Sequence, residues 1–406
     1  MKNIIVGQSG GPTAVINGSL YGVVTEGMAH PEKIEHVYGM VNGIEGFLND
    51  QIMDMAPLSE NGELEFVRTT PGAYLGSCRY KLPEDLNDPV YPKLFQKFEE
   101  KSIGYFFYIG GNDSMDTVSK LSRYAAGINS DIRFIGVPKT IDNDLVNTDH
   151  TPGFGSAAKY VASVVREVAA DASVYDNKQS VTIVEIMGRH AGWLTAASVL
   201  ARKFKGDNPV LIYLPEVAFD QDAFLNKVRE ALKTTPNLVV CISEGINNGK
   251  GTFICEYASD VGVDIFGHKM LTGSGKYLEN LVKEKIGVKV RSIELNVCQR
   301  CSSSMLSATD LTEAIGAGTY SVKAALAGET GQMITFIRHA DHPYELSYGT
   351  ADVNEICNEE KAVPTEWITK DGSDISEEFI AYARPLIQGN VVVPTKDGLP
   401  VFAYRK

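Results

Sequence analysis

At residues 3–7, 104–109, 133–137 and 181–187 the sequence carries short apolar runs, and each stops at a polar turn bearing glycine or proline. Runs apolar at consecutive positions, without period-two alternation, mark strands covered on both faces. Helix-period patterns follow within a few residues. One spans about 14–26, one places Met115, Val118, Leu121 and Ala125 on a single face, one spans about 156–172, and one begins beyond Gly192. Further strands are predicted at 209–215, 237–243, 288–295 and 333–338, alternating with helices at 221–234 and 308–327. That alternation specifies α/β layers over mainly parallel sheets. Such sheets bind ligands beyond the carboxyl ends of their strands.

The polar turns therefore hold the candidate chemistry. Gly136-Val137-Pro138-Lys139-Thr140-Ile141-Asp142-Asn143-Asp144 puts one cation and two carboxylates just past a buried strand, where Pro138 removes a ladder donor. This is either a turn whose Asp and Asn satisfy their own backbone, or a site for transfer of a phosphate-like group. Gln8-Ser9-Gly10-Gly11-Pro12-Thr13 is either a tight strand-to-helix turn or an anion cradle at a helix N-terminus. It matches neither the GxGxxG fingerprint nor a P-loop. Gly110-Gly111-Asn112-Asp113-Ser114 repeats the geometry with a carboxylate added, and Arg79 lies in a loop with Pro71, Gly72 and Gly76. Asp113, Asp142, Arg189 and Glu244 all come just after predicted strands.

A length of 406 residues exceeds one comfortable core and predicts two domains. The net charge of −13 argues against a nucleic-acid binder but leaves room for a local cationic pocket. The first residues enter a strand at once, and no apolar run approaches the twenty residues of a membrane span, so a cytoplasmic protein is expected. Six cysteines are scattered, and the C-x-x-C of Cys298 and Cys301 lacks a second ligand pair, so neither a metal nor a redox site is expected there.

Taken together, these motifs resemble the phosphofructokinase family. The matching elements are Ser9-Gly10-Gly11 with Asn17, Leu75-Gly76-Ser77-Cys78-Arg79, the Gly110–Ser114 turn and Pro138 to Asp144. They continue with Met187-Gly188-Arg189-His190-Ala191-Gly192, Ser243-Glu244-Gly245, and Arg291 with Gln299-Arg300. The resemblance covers most of residues 3–340. It implies two Rossmann-like three-layer domains with the active site in the interdomain cleft. Residues 1–156 with about 299–349 would form the donor domain, about 157–298 the sugar-phosphate domain, and about 350–406 an extension packed on both.

The family phosphorylates the C1 hydroxyl of fructose 6-phosphate, from ATP or from pyrophosphate. Asp113 stands where ATP users carry the last glycine of GGDGS, and Lys139 where they carry the glycine of PGT. Both replacements resemble the pyrophosphate-dependent branch, since the two side chains occupy space an α-phosphate and nucleoside would need. The resemblance implies Asp142 as general base, with Asp142, Lys139 and Asp113 as the catalytic set. Gly11, Arg79, Asp113 and Lys139 would hold the donor, and Mg²⁺ would be held among Asn112, Asp113 and Asp144. Thr140, Ile141, Asp142, Met187, Gly188, Arg189, Glu244, Arg291 and Arg300 would bind the sugar phosphate, the two final arginines at its 6-phosphate. A reversible reaction serving glycolysis and gluconeogenesis, and a homodimer or homotetramer, are also implied.

Three positions depart from the family pattern. Asn112 replaces a metal-ligating aspartate, Ser180 an arginine that reaches a neighbouring subunit (with Lys178 nearby), and Val297 a histidine or tyrosine. The last two leave sedoheptulose 7-phosphate open as an acceptor. The alternatives are an ATP-dependent enzyme and a catalytically impaired sugar-phosphate-binding homologue.

Overall fold

The computed structural model describes residues 1–175, 177–257 and 273–405. Its strands, in chain order, are β1 (Lys2–Gln8), β2 (Ile34–Met40), β3 (Ile52–Asp54), β4 (Ile103–Gly110), β5 (Arg133–Pro138), β6 (Ser180–Ile186), β7 (Leu211–Tyr213), β8 (Asn237–Ser243), β9 (Lys289–Glu294), β10 (Gln332–Asp341) and β11 (Tyr344–Asp352). The fully apolar runs take the interior places. β4 lies between β1 and β5, and β8 between β6 and β7. The edges of the smaller sheet are β9, with its exposed Lys289 and Arg291, and the short, buried β7.

Two sheets result. The larger has the order β11-β10-β5-β4-β1-β2-β3, parallel from β2 to β10, with β3 and β11 antiparallel at the two edges. The smaller, β7-β8-β6-β9, is wholly parallel. In the larger sheet β1 leads to β2 on one side, while β4 and β5 lie on the other. The turns after β1 and β4 therefore flank a switch point, where such sheets open a crevice. The helix Phe154–Ala172 packs with the smaller sheet's core, and its start is tied to the helix Ala308–Leu326 by Asp310, whose carboxylate accepts from the backbone N–H of Gly153 (2.9 Å) and Ser156 (2.8 Å).

Some elements differ from the sequence expectation. Residues 344–352, for which no strand was predicted, form edge strand β11, whose half-buried polar and small residues leave no apolar run to mark it. The helices Val90–Glu100 and Ser274–Ile286 were not anticipated, and the strand at 209–215 is shortened to Leu211–Tyr213. Beyond β11 the chain crosses the molecule. Val353 and Ile356 are buried with β4 and β5, whereas Val363, Ile368, Ile375 and Phe379 are buried with the smaller sheet's core. There Trp193, Trp367, Phe379 and Tyr382 form an aromatic cluster, with Trp193 and Trp367 edge-on at 6.1 Å.

Candidate active site

The turns after β1, β4 and β5 face those after β6 and β8 across a cavity of about 740 Å³. Gly10 adopts φ +75°, which glycine does without strain, and a side chain at Gly11 would come within 3.2 Å of the Arg300 guanidinium. Both glycines thus leave the cavity floor open. Lys139 follows Pro138 at the end of β5, its N–H donating to Gly110 O at 2.9 Å. Its side chain is buried, and Nζ donates to Gly11 O at 2.6 Å. Asp142 N–H donates to Thr140 Oγ1 at 3.0 Å, and Asn143 takes the left-handed conformation that Asn tolerates. Asn143 Nδ2 donates to Tyr382 Oη at 2.8 Å, and its Oδ1 accepts from Thr151 N–H at 3.1 Å. The loop is therefore held from both sides, with Asp142 and Asp144 lining the cavity.

Burial dominates the electrostatics. Loss of water pushes the Lys139 ammonium down to about 8, with Arg300 and Arg79 adding to the push and Asp142 and Asp144 opposing it. Burial raises Asp142 well above the usual carboxylate range despite Lys139, Arg189 and Arg300 nearby. Asp144 is raised to about 7, first by burial and then by the charge of Asp142. The pair titrates together, as closely placed carboxylates do. Across the cavity Glu244 is raised to about 7 by burial, although Gly188 N–H donates to its Oε1 at 3.4 Å. Among the described residues, two buried polar atoms in this cleft have no partner: Arg189 Nε and Asp144 Oδ1. Such atoms are costly unless a ligand meets them.

Of the site residues expected from sequence, Gly11, Arg79, Asn112, Asp113, Lys139, Thr140, Ile141, Asp142, Asp144, Met187, Arg189, Glu244 and Arg300 line this one cavity. Gly188 contributes its backbone beside Glu244. Arg291 does not join them. It sits on edge strand β9, half exposed, with Nη1 3.8 Å from Asp171. Ser180 lies at the opposite end of β6 from the cavity, with its hydroxyl on Asn237 Oδ1 at 2.9 Å. Asn112 lines the cavity but spends its amide elsewhere: Nδ2 donates to Glu359 O (2.6 Å) and Oδ1 accepts from Asn358 N–H (2.9 Å). Asp113 pairs with Lys81 at 3.1 Å.

Sequence reasoning missed Lys81, His190, Asn358 and Glu360, which also line the cavity. Lys81 carried a signal, two residues beyond Arg79. The other end of the chain carried none. Among the described residues no three His, Cys, Asp or Glu side chains form a metal-binding group. A hard cation with most of its ligands from water and phosphate oxygens needs only one or two carboxylates. Asp144 and Asp113, both lining the cavity, are two such carboxylates.

The phosphofructokinase family model matches residues 3–325. A protein of Xanthomonas campestris pv. campestris named pyrophosphate–fructose 6-phosphate 1-phosphotransferase is 40% identical over 407 residues, covering 100% of this chain and 96% of its own length. A protein of the same name from Halomonas elongata is 38% identical over 403 residues, covering 99% and 95%. The crystal structure of a pyrophosphate-dependent phosphofructokinase from Marinobacter aquaeolei superposes with a TM-score of 0.89 at 38% identity, covering 99% of this chain and 95% of that one.

Proposed function

We propose that this chain, which belongs to the phosphofructokinase family, transfers a phosphoryl group from pyrophosphate to the C1 hydroxyl of fructose 6-phosphate. The products are fructose 1,6-bisphosphate and phosphate, and the reaction is reversible and serves glycolysis and gluconeogenesis alike. The observation that carries the donor assignment is the buried Lys139, its ammonium bonded to Gly11 O on the donor side of the cleft. Together with Asp113 it narrows the space that a nucleoside triphosphate would fill and offers charge suited to the smaller donor.

In this reading Asp142 accepts the proton of the C1 hydroxyl as that oxygen attacks the near phosphorus of pyrophosphate. The bond from that phosphorus to the bridging oxygen breaks, and the far phosphate leaves. Lys139 and Arg79 hold the donor and neutralise the charge gathering on the leaving group. Arg189 and Glu244 take sugar hydroxyls, which would satisfy the unpartnered Arg189 Nε, while Met187, Gly188, Thr140 and Ile141 shape the sugar's place. Arg300 takes the 6-phosphate. Reactions of this class use a divalent cation to screen phosphate charge. Magnesium is the proposed ion, with Asp144 and Asp113 as its protein ligands and Asn112 contributing only if its amide leaves the backbone of 358–359.

Residues 1–156 with about 299–349 are read as the donor domain, about 157–298 as the acceptor domain, and about 350–406 as the extension. Because Arg291 points out from edge strand β9, it would serve a sugar phosphate only across a contact with a second subunit, which fits a homodimer or homotetramer. No helix among the described residues is long and apolar enough to cross a membrane, and a cytoplasmic location completes the proposal.

The test is an assay of the purified protein with fructose 6-phosphate and Mg²⁺, comparing pyrophosphate with ATP. Turnover is expected with pyrophosphate and to be much slower with ATP. Faster turnover with ATP would identify an ATP-dependent kinase. Calorimetric binding of the sugar phosphate without turnover from either donor would identify an impaired homologue. Sedoheptulose 7-phosphate as acceptor measures how tightly the sugar is specified.

A further inference from the structure

We infer that Lys361 is a positioning residue, and that the segment 358–363 straps the loop bearing Asp142 and Asp144 to the opposite wall of the cleft. This rests on the role proposed above for Asp142.

The strap lies where the chain leaves the core of the larger sheet, after Ile356, and before it enters that of the smaller, at Val363. Its first end is held by both halves of the Asn112 amide, at the start of the helix Asn112–Gly127. Its far end is held by Val363 N–H, which donates to Glu216 Oε1 at 3.0 Å. Lys361 stands between these anchors and uses every polar group it has. Its N–H donates to Asp144 O at 2.7 Å. Its Nζ donates to Thr148 O at 3.0 Å and Asp149 O at 2.8 Å. Its carbonyl accepts from Trp193 Nε1 at 2.8 Å, and its ammonium lies 5.3 Å from the Trp193 ring centre.

These contacts do two things. Three carbonyls of the segment 144–149 are gripped from one residue, so the direction in which the Asp142 and Asp144 side chains leave the backbone is fixed from outside the loop. Trp193, one residue beyond the Met187–Gly192 turn, ties the same lysine to the wall that carries Arg189. A small displacement between proton acceptor and sugar hydroxyl is enough to lower turnover strongly. Lys361 thus acts on the reaction through Asp144 and the loop, without touching substrate.

The test compares the full chain with Lys361→Met, using thermal unfolding, amide hydrogen exchange of a peptide spanning 139–150, and steady-state kinetics. We expect a cooperative unfolding transition to persist and exchange in 139–150 to speed up by about tenfold. We expect kcat to fall by about 10- to 100-fold with KM for the sugar phosphate changed by less than about threefold. A folded variant with unaltered loop exchange overturns the proposal, and so does one whose KM for the sugar phosphate rises as much as its kcat falls. If Lys361→Met does not fold, Trp193→Phe decides by the same exchange measurement, because it keeps the lysine and an aromatic ring beside it and removes the donor to its carbonyl. Exchange needs no turnover, so absence of pyrophosphate activity in the parent would sink the proposed reaction and leave this inference to stand or fall on its own.

Discussion

The two walls of the cleft manage polar groups in opposite ways. On the donor wall three polar side chains are already engaged: Lys139 on Gly11 O, Asp113 with Lys81, Asn112 on the strap. On the acceptor wall, after β6 and β8, Arg189 Nε has no partner among the described residues, and Glu244 sits in a site dry enough to favour its proton near neutrality. The donor wall is preorganised, and it selects by the space and charge it already occupies. The acceptor wall is left unsatisfied, and it selects by what completes its hydrogen bonds. A site built to hydrogen-bond a substrate hydroxyl strongly rejects an analogue lacking it, because its buried polar groups are then left unpaired.

Substitutions can break or sharpen this contrast. Asp142 lies between the walls, so Asp142→Ser should have the largest effect, lowering kcat by about 10²–10⁴-fold with KM for both substrates little changed. An unaltered rate would remove Asp142 as the base. Arg189→Ala should act on one side only. It should raise KM for the sugar phosphate by about 10- to 100-fold, the scale of one hydrogen bond from a charged group, while KM for pyrophosphate holds. Equal losses for both substrates would erase the distinction between the walls.

The smallest effect is one of stability. The Asp144 carboxyl sits at about 7 in the folded protein against an ordinary 3.8. The folded state therefore keeps a proton that the unfolded chain releases, and the stability this group contributes is lost as pH rises through that window. Asp144→Asn should stabilise the ligand-free protein at pH 8 by on the order of 2 kcal/mol, with the difference vanishing below about pH 4. Urea unfolding at the two pH values reads this directly, and a less stable variant at pH 8 would contradict the burial argument.

The donor wall and the loop between the walls were largely legible in the sequence. Lys139, Asp142 and Asp144 fall within a few residues of the end of β5, and in a parallel sheet that place and the residue type together announce a site. The strap was not legible. Lys361 reaches Thr148 across 213 residues of sequence, and it bonds backbone carbonyls, which every residue has. Asn112 looked like a weakened metal ligand, because its actual partners, the backbone of Asn358 and Glu359, leave no trace in composition or spacing. Arg291 was read correctly as part of a strand, but its edge position and outward direction depend on strand order, which local pattern does not encode.

The central claim, that the filled donor wall chooses pyrophosphate, is tested most directly by one ratio. It is kcat/KM with pyrophosphate over kcat/KM with ATP, measured in the parent and in Asp113→Gly with Lys139→Gly. The ratio should be far above one in the parent and fall by about 100-fold or more in the double variant, from weaker use of pyrophosphate and relieved exclusion of ATP. An unchanged ratio in a folded double variant would contradict it.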